Sequence, residues 1–148
     1  MNLRKLILGA TFAGLGSAAA MAQSTLGELL DAKAVKLSKE EVQTTILGAT
    51  VSGPIQGGLT TEAEYKADGT YSGSYQNPMG GQGGARSGGF FGKWTLNDDG
   101  KLCTEGTGGG GKATGSCAFY FRLDGQLYAA YGSAANRSVV VFKRNVKR

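Results

Sequence analysis

The chain has 148 residues, 41% hydrophobic and 18% charged, with 26 Gly, 2 Cys and no His. That length suits one domain, or one domain with a short appendage. The aromatic content and modest charge argue against wholesale disorder. Without His there is no Ser–His–Asp or Cys–His nucleophile system, no His-ligated zinc and no His general base. The formal net charge is +5, part of it in the first few residues.

Residues 1–22 read as a cleaved signal peptide. Met1-Asn2-Leu3-Arg4-Lys5 is a short positive segment, Leu6 to Ala20 an apolar run, and Ala20-Met21-Ala22 an A-x-A cleavage site. The apolar run is too short and too rich in Gly and Ala to make a good membrane span. No Cys follows the cleavage site, so no lipid anchor is expected. The expected product is periplasmic or secreted, soluble and monomeric. Export also makes a disulfide the expected state of the only two cysteines, Cys103 and Cys117. The closed loop of about 15 residues is worth roughly 3 kcal/mol in the chain-entropy model. A redox-active pair is disfavoured, since the spacing is far from C-x-x-C.

Residues 23–48 form the expected helical segment. Leu26, Leu29 and Leu30 suggest a short helix near 26–31. Ser38-Lys39-Glu40-Glu41 matches a capping box opening a second helix at 39–47, whose apolar face carries Val42 and Ile46 and which Gly48 ends.

From Ala49 the apolar period becomes two, and residues 49–148 read as a β-domain. Turn signals recur at Gly53-Pro54, Gly57-Gly58, Asp68-Gly69, Asp98-Asp99-Gly100 and Asp124-Gly125. Eight short strands are expected near 49–53, 58–67, 70–76, 89–97, 101–106, 114–123, 126–132 and 138–144. The fold class is therefore mainly β: a small up-and-down antiparallel barrel of about eight strands, preceded by one or two short helices. Closure into a barrel removes exposed edges; a two-sheet sandwich shares the same local pattern. Alternation puts Phe90, Trp94 and Leu96 on one side of their strand, and Cys117, Phe119 and Phe121 opposite Tyr120 and Arg122. Two Gly-rich stretches, Pro78 to Gly89 and Gly106 to Gly115, read as long hairpin loops.

Chance motif matches carry little. Gly106 to Lys112 fits G-x-x-x-x-G-K, but Ala113 stands where a Ser or Thr would bind Mg²⁺, and a strand follows instead of a helix. Glu62 and Glu64 lie on one strand face about 7 Å apart, a spacing compatible with glycoside chemistry. A solvated face explains them equally well, and no pocket that would shift their pKa values is legible. No enzyme activity, cofactor or metal is expected. The basic run Arg137, Lys143, Arg144, Lys147 and Arg148 reads as a solvated strand edge and tail more readily than as an anion-binding surface.

The order Tyr65-x-x-Asp68-Gly69, Gly92-x-Trp94, Gly100-x-Leu102-Cys103, Cys117 and Gly125-x-x-Tyr128 resembles a family of small exported bacterial proteins of unknown function with a lipocalin-like barrel. The resemblance covers about half of the chain and departs from the family in the two long Gly-rich loops. It implies a calycin-type barrel with a disulfide and carries over no catalytic residues. The expected function is a periplasmic lipocalin-like module holding a small apolar or amphipathic ligand, with Tyr65, Tyr71, Trp94 and Tyr128 as the ligand-binding candidates. The alternative is an envelope protein-interaction module such as a cell-wall hydrolase (lysozyme) inhibitor, for which Ser72-Gly73-Ser74-Tyr75 is a faint signal. Nucleic acid is not an expected partner, nor is a membrane span expected.

Overall fold

A computed structural model describes residues 24–77 and 86–148. The leader assigned to 1–22 and the 78–85 part of the first Gly-rich stretch lie outside the described residues. In chain order the elements are α1 (Leu26–Asp31), β1 (Val35–Lys36), α2 (Lys39–Ile46), β2 (Thr50–Pro54), β3 (Thr60–Tyr65), β4 (Thr70–Asn77), β5 (Arg86–Leu96), β6 (Leu102–Thr107), β7 (Ala113–Leu123), β8 (Gln126–Tyr131) and β9 (Val141–Lys147). Each strand from β2 to β9 pairs antiparallel with the next, and β9 pairs back onto β2, so the sheet closes into an eight-stranded barrel. The two-residue β1 pairs with Phe121 and Arg122 of β7, beyond the stretch of β7 that β6 occupies.

Both helices begin at capping boxes. Ser38 Oγ accepts from the Glu41 amide while Glu41 Oε2 accepts from the Ser38 amide, and Thr25 with Glu28 repeats the arrangement at α1. Gly48 follows α2 with φ +70°, the left-handed conformation that a Gly adopts at least cost. The two helices then serve different surfaces of the barrel. Val42 and Ile46 of α2 pack with the inward residues Val51, Tyr65, Leu102 and Tyr120. The Gly48 amide donates to the Tyr65 carbonyl, Leu37 to that of Tyr120, and Lys39 pairs with Asp98 in the β5–β6 turn at 2.6 Å. All these partners lie toward the end where β3–β4, β5–β6 and β7–β8 connect, so α2 stoppers that end. Helix α1 instead lies on the outer wall. Its Leu26 and Leu29 join Phe119, Phe121, Ala130 and Val141 in a second apolar cluster. Arg137 clamps it by donating to the Gly27 carbonyl and pairing with Asp31 at 2.6 Å. This double layer explains why β7 and β8 are apolar on both faces.

The strand expectations agree with the structure closely, with two corrections. The last strand starts three residues later than 138–144 and is not an edge, because β9 is paired on both sides. The glycine stretches are also less loop-like than their composition suggests. Gly88 and Gly89 pair within the β4–β5 ladder, while Gly106 and Gly115 pair within the β6–β7 ladder, leaving only 108–112 as connection. Gly73 shows the reason: a Cβ there would clash with the Glu62 carbonyl and lie 2.6 Å from Cζ of Phe90. Aromatic rings on neighbouring strands fill the space that the inward glycines leave open.

Cys103 and Cys117 sit directly opposite each other on β6 and β7 and form a disulfide across the ladder. Alternation places it on the outer wall. The outer positions Glu62, Glu64, Lys93 and Glu105 are exposed, so the exterior is charged, unlike the apolar band of a lipid-facing barrel. No helix among the described residues is long and apolar enough to cross a membrane.

Candidate functional site: an open-ended cavity inside the barrel

With α2 filling one end, the interior narrows into apolar packing there and widens toward the other. A cavity of about 490 Å³ occupies the wide half, within the range of about 300–1,000 Å³ common for small-molecule sites. Its wall comes from the inward faces of β3 to β9. Its mouth is formed by the β2–β3 connection, through Ile55, Gln56 and Leu59, and by the β6–β7 connection, through Gly108, Gly109 and Lys112. The ends of β4 and β5 that flank residues 78–85 lie at this same end, since Asn77 pairs with Arg86.

The inner surface is predominantly apolar and aromatic, with a few hydroxyls. Tyr65 and Tyr71 stack at 5.9 Å, and Tyr71 meets Phe90 at 5.7 Å. Tyr75 lies nearer the mouth, where a Cβ on Gly109 would meet its hydroxyl at 2.9 Å. Burial raises the Tyr65 phenol from 10.0 to about 12, with the neighbouring Tyr131 adding to the effect. Burial likewise raises Tyr131, and lifts the fully enclosed Tyr120 well above its ordinary value. These phenols therefore stay neutral near pH 7. Unfolded tyrosines ionise near pH 10, so the unfolded chain releases these protons first. Stability is accordingly expected to be complete below a pH of about 10 and to fall as pH rises toward about 12. Denaturant midpoints measured across that window would check this, and a flat profile would mean that the phenols are solvated.

Of the four candidate ligand-binding residues, Tyr65 and Tyr71 line the cavity. Trp94 points inward but lies toward the stoppered end, below the cavity. Its indole N–H donates to the Lys66 carbonyl at 2.8 Å, pinning the β3–β4 turn. Tyr128 faces the other way and packs with the outer cluster. Its neighbours Leu127 and Ala129 take the inward positions, and a strand cannot present adjacent residues to one face. Ser72-Gly73-Ser74-Tyr75 is part of β4, with Tyr75 inward and both serines on the outer face. Glu62 and Glu64 are also outward and exposed. The segment fitting G-x-x-x-x-G-K is a strand-to-strand connection with no helix after it.

The residue that sequence reasoning misplaced is Arg144. Its place in the basic run suggests a solvated side chain, yet it is 4% exposed and lies in the cavity wall. Nη1 donates to the carbonyls of Gly53 and Pro54 at 3.0 and 3.1 Å, and Nη2 to Thr61 Oγ1 at 3.1 Å. The signal lies in the alternation Phe142, Arg144, Val146, which puts the three on one strand face.

The fold and cavity together define a closed antiparallel barrel with a stoppered end and an internal, mainly apolar chamber. No family model, curated protein or solved structure matches the chain.

Proposed function

We propose that this protein is an exported, lipocalin-like binding module that holds a small apolar or amphipathic molecule inside its barrel. The observation that carries this reading is the chamber of about 490 Å³, open at one end and walled by aromatic and aliphatic side chains. A barrel of this strand number is often filled by its own side chains. Here the rings of Tyr65, Tyr71, Tyr75 and Phe90 line the wide half without filling it. The polar tips of Tyr65, Tyr71 and Tyr75 suit a ligand with a polar end and an apolar body. The disulfide supports a life outside the cytoplasm. The reading is one of binding and carriage rather than catalysis, and it accords with the resemblance drawn from the Tyr-x-x-Asp-Gly, Gly-x-Trp and Gly-x-x-Tyr segments.

The test is mass spectrometry of the oxidised chain recovered from cells, under native and denaturing conditions, followed by calorimetric titration with octanol. A discrete native mass increment, or saturable octanol binding, is the expected result. A bare chain that also fails to bind octanol would overturn the proposal.

A further inference from the structure

Arg144 presents an energetic problem that the protein alone does not solve. A buried charge is costly unless it is paired, and buried arginines ordinarily meet a carboxylate. Every partner of Arg144 is neutral: two backbone carbonyls and one hydroxyl. None of the ion pairs among the described residues includes it. A guanidinium carries five N–H donors, and the three bonds leave one Nη2 hydrogen and Nε–H in hand. Nε is buried with no hydrogen-bond partner among the described residues. The neighbouring tyrosines do not supply the missing charge, because burial keeps them protonated.

The surroundings reinforce the sign. Among the described residues, the charged ones lining the chamber are Arg144 and Lys112, both cationic. The described segments that join strands at the open end, 55–59, 108–112 and 132–140, contain no Asp or Glu. A low-dielectric chamber walled by one sign of charge focuses its field on the entering molecule.

We infer that the ligand is a small amphipathic carboxylate that enters head first, its carboxylate pairing with the Arg144 guanidinium and its apolar body lying among Tyr65, Tyr71 and Phe90. This rests on the carrier reading above and narrows it to one ligand class. A guanidinium with donors unspent suits a carboxylate, and charge-assisted bonds of this kind are the stronger sort. Lys112 at the mouth would guide the anion inward.

Three ligands with one shared tail test this: octanoate, octanol and octyltrimethylammonium, titrated calorimetrically into the oxidised chain at neutral pH. Octanoate is expected to bind about tenfold or more tightly than octanol, and the cation not measurably. Arg144→Gln is expected to abolish the preference for octanoate while keeping octanol affinity, and Arg144→Lys to retain part of the preference. Octanol binding equal to or tighter than octanoate overturns the anion assignment and leaves the carrier reading standing. Failure of all three to bind overturns both. If Arg144→Gln does not fold, the head-group series on the unaltered chain decides alone.

Discussion

Replacing Phe121 with Ala is expected to destabilise the protein by about 3–5 kcal/mol, the usual cost of truncating a core aromatic. Phe121 is on the outward face of β7, where a barrel residue would ordinarily meet water, yet it is only 2% exposed. Helix α1 covers it, with Leu26 and Leu29 set against Phe119, Phe121 and Val141. The helix has six residues, too few to hold together in water by its own hydrogen bonds. Its existence depends on this docking surface. Truncation therefore leaves a void and loosens the helix that formed its lid. For a chain of this size the thermal midpoint should fall by roughly 10–20 °C, and the α1 amides should exchange faster. A loss below about 1 kcal/mol would show that α1 is not packed as described.

The second large effect concerns the disulfide. Exchanging both Cys103 and Cys117 for Ser is expected to cost roughly 3 kcal/mol, from the entropy that the closed loop of about 15 residues regains on unfolding. The loop contains Gly108 to Gly111 in succession, and glycine gives up more backbone freedom on folding than any other residue. The bond lies one register step from Thr104 and Ser116, both of which line the chamber. The loss should thus be felt at the open end first, as faster amide exchange around 104–107 and 113–116 and weaker ligand retention. Cys117 is exposed, so reduction by a soluble thiol offers the same comparison without mutation. An unchanged denaturant midpoint after complete reduction would rule out the cross-link as a source of stability.

Much of this fold is legible in local chemistry. Asp-Gly and Asp-Asp-Gly turns between alternating segments mark the hairpins at Asp68-Gly69, Asp98-Asp99-Gly100 and Asp124-Gly125, because only a few residue types accept the backbone angles of a tight turn. Ser38 and Glu41 mark the start of α2 for a similar reason: the cap closes within three residues. Two cysteines in strands joined by one hairpin meet because antiparallel register brings them opposite each other. The candidate site was only half legible. Tyr65 and Tyr71 occupy the chamber wall and Tyr128 does not. Alternation says which residues share a face, but both faces of β8 are apolar, so composition offered no way to tell inside from outside.

What the sequence determined by itself was thus the set of interactions that close over a few residues: strands, turns, caps, the paired cysteines and the eight-strand count. The tertiary structure alone decided the phase of each strand relative to the interior, the placing of α2 within the barrel and α1 upon it, and the chamber that remains between α2 and the open end. Arg144 shows the difference most clearly. A basic residue near a chain end is normally solvated, and nothing local contradicts that. Pairing of β9 with both β2 and β8 turns the residue inward, where closing the barrel takes its charge out of water and leaves it facing a cavity. Burial depends on how distant strands meet, and that information is carried by the closed sheet as a whole.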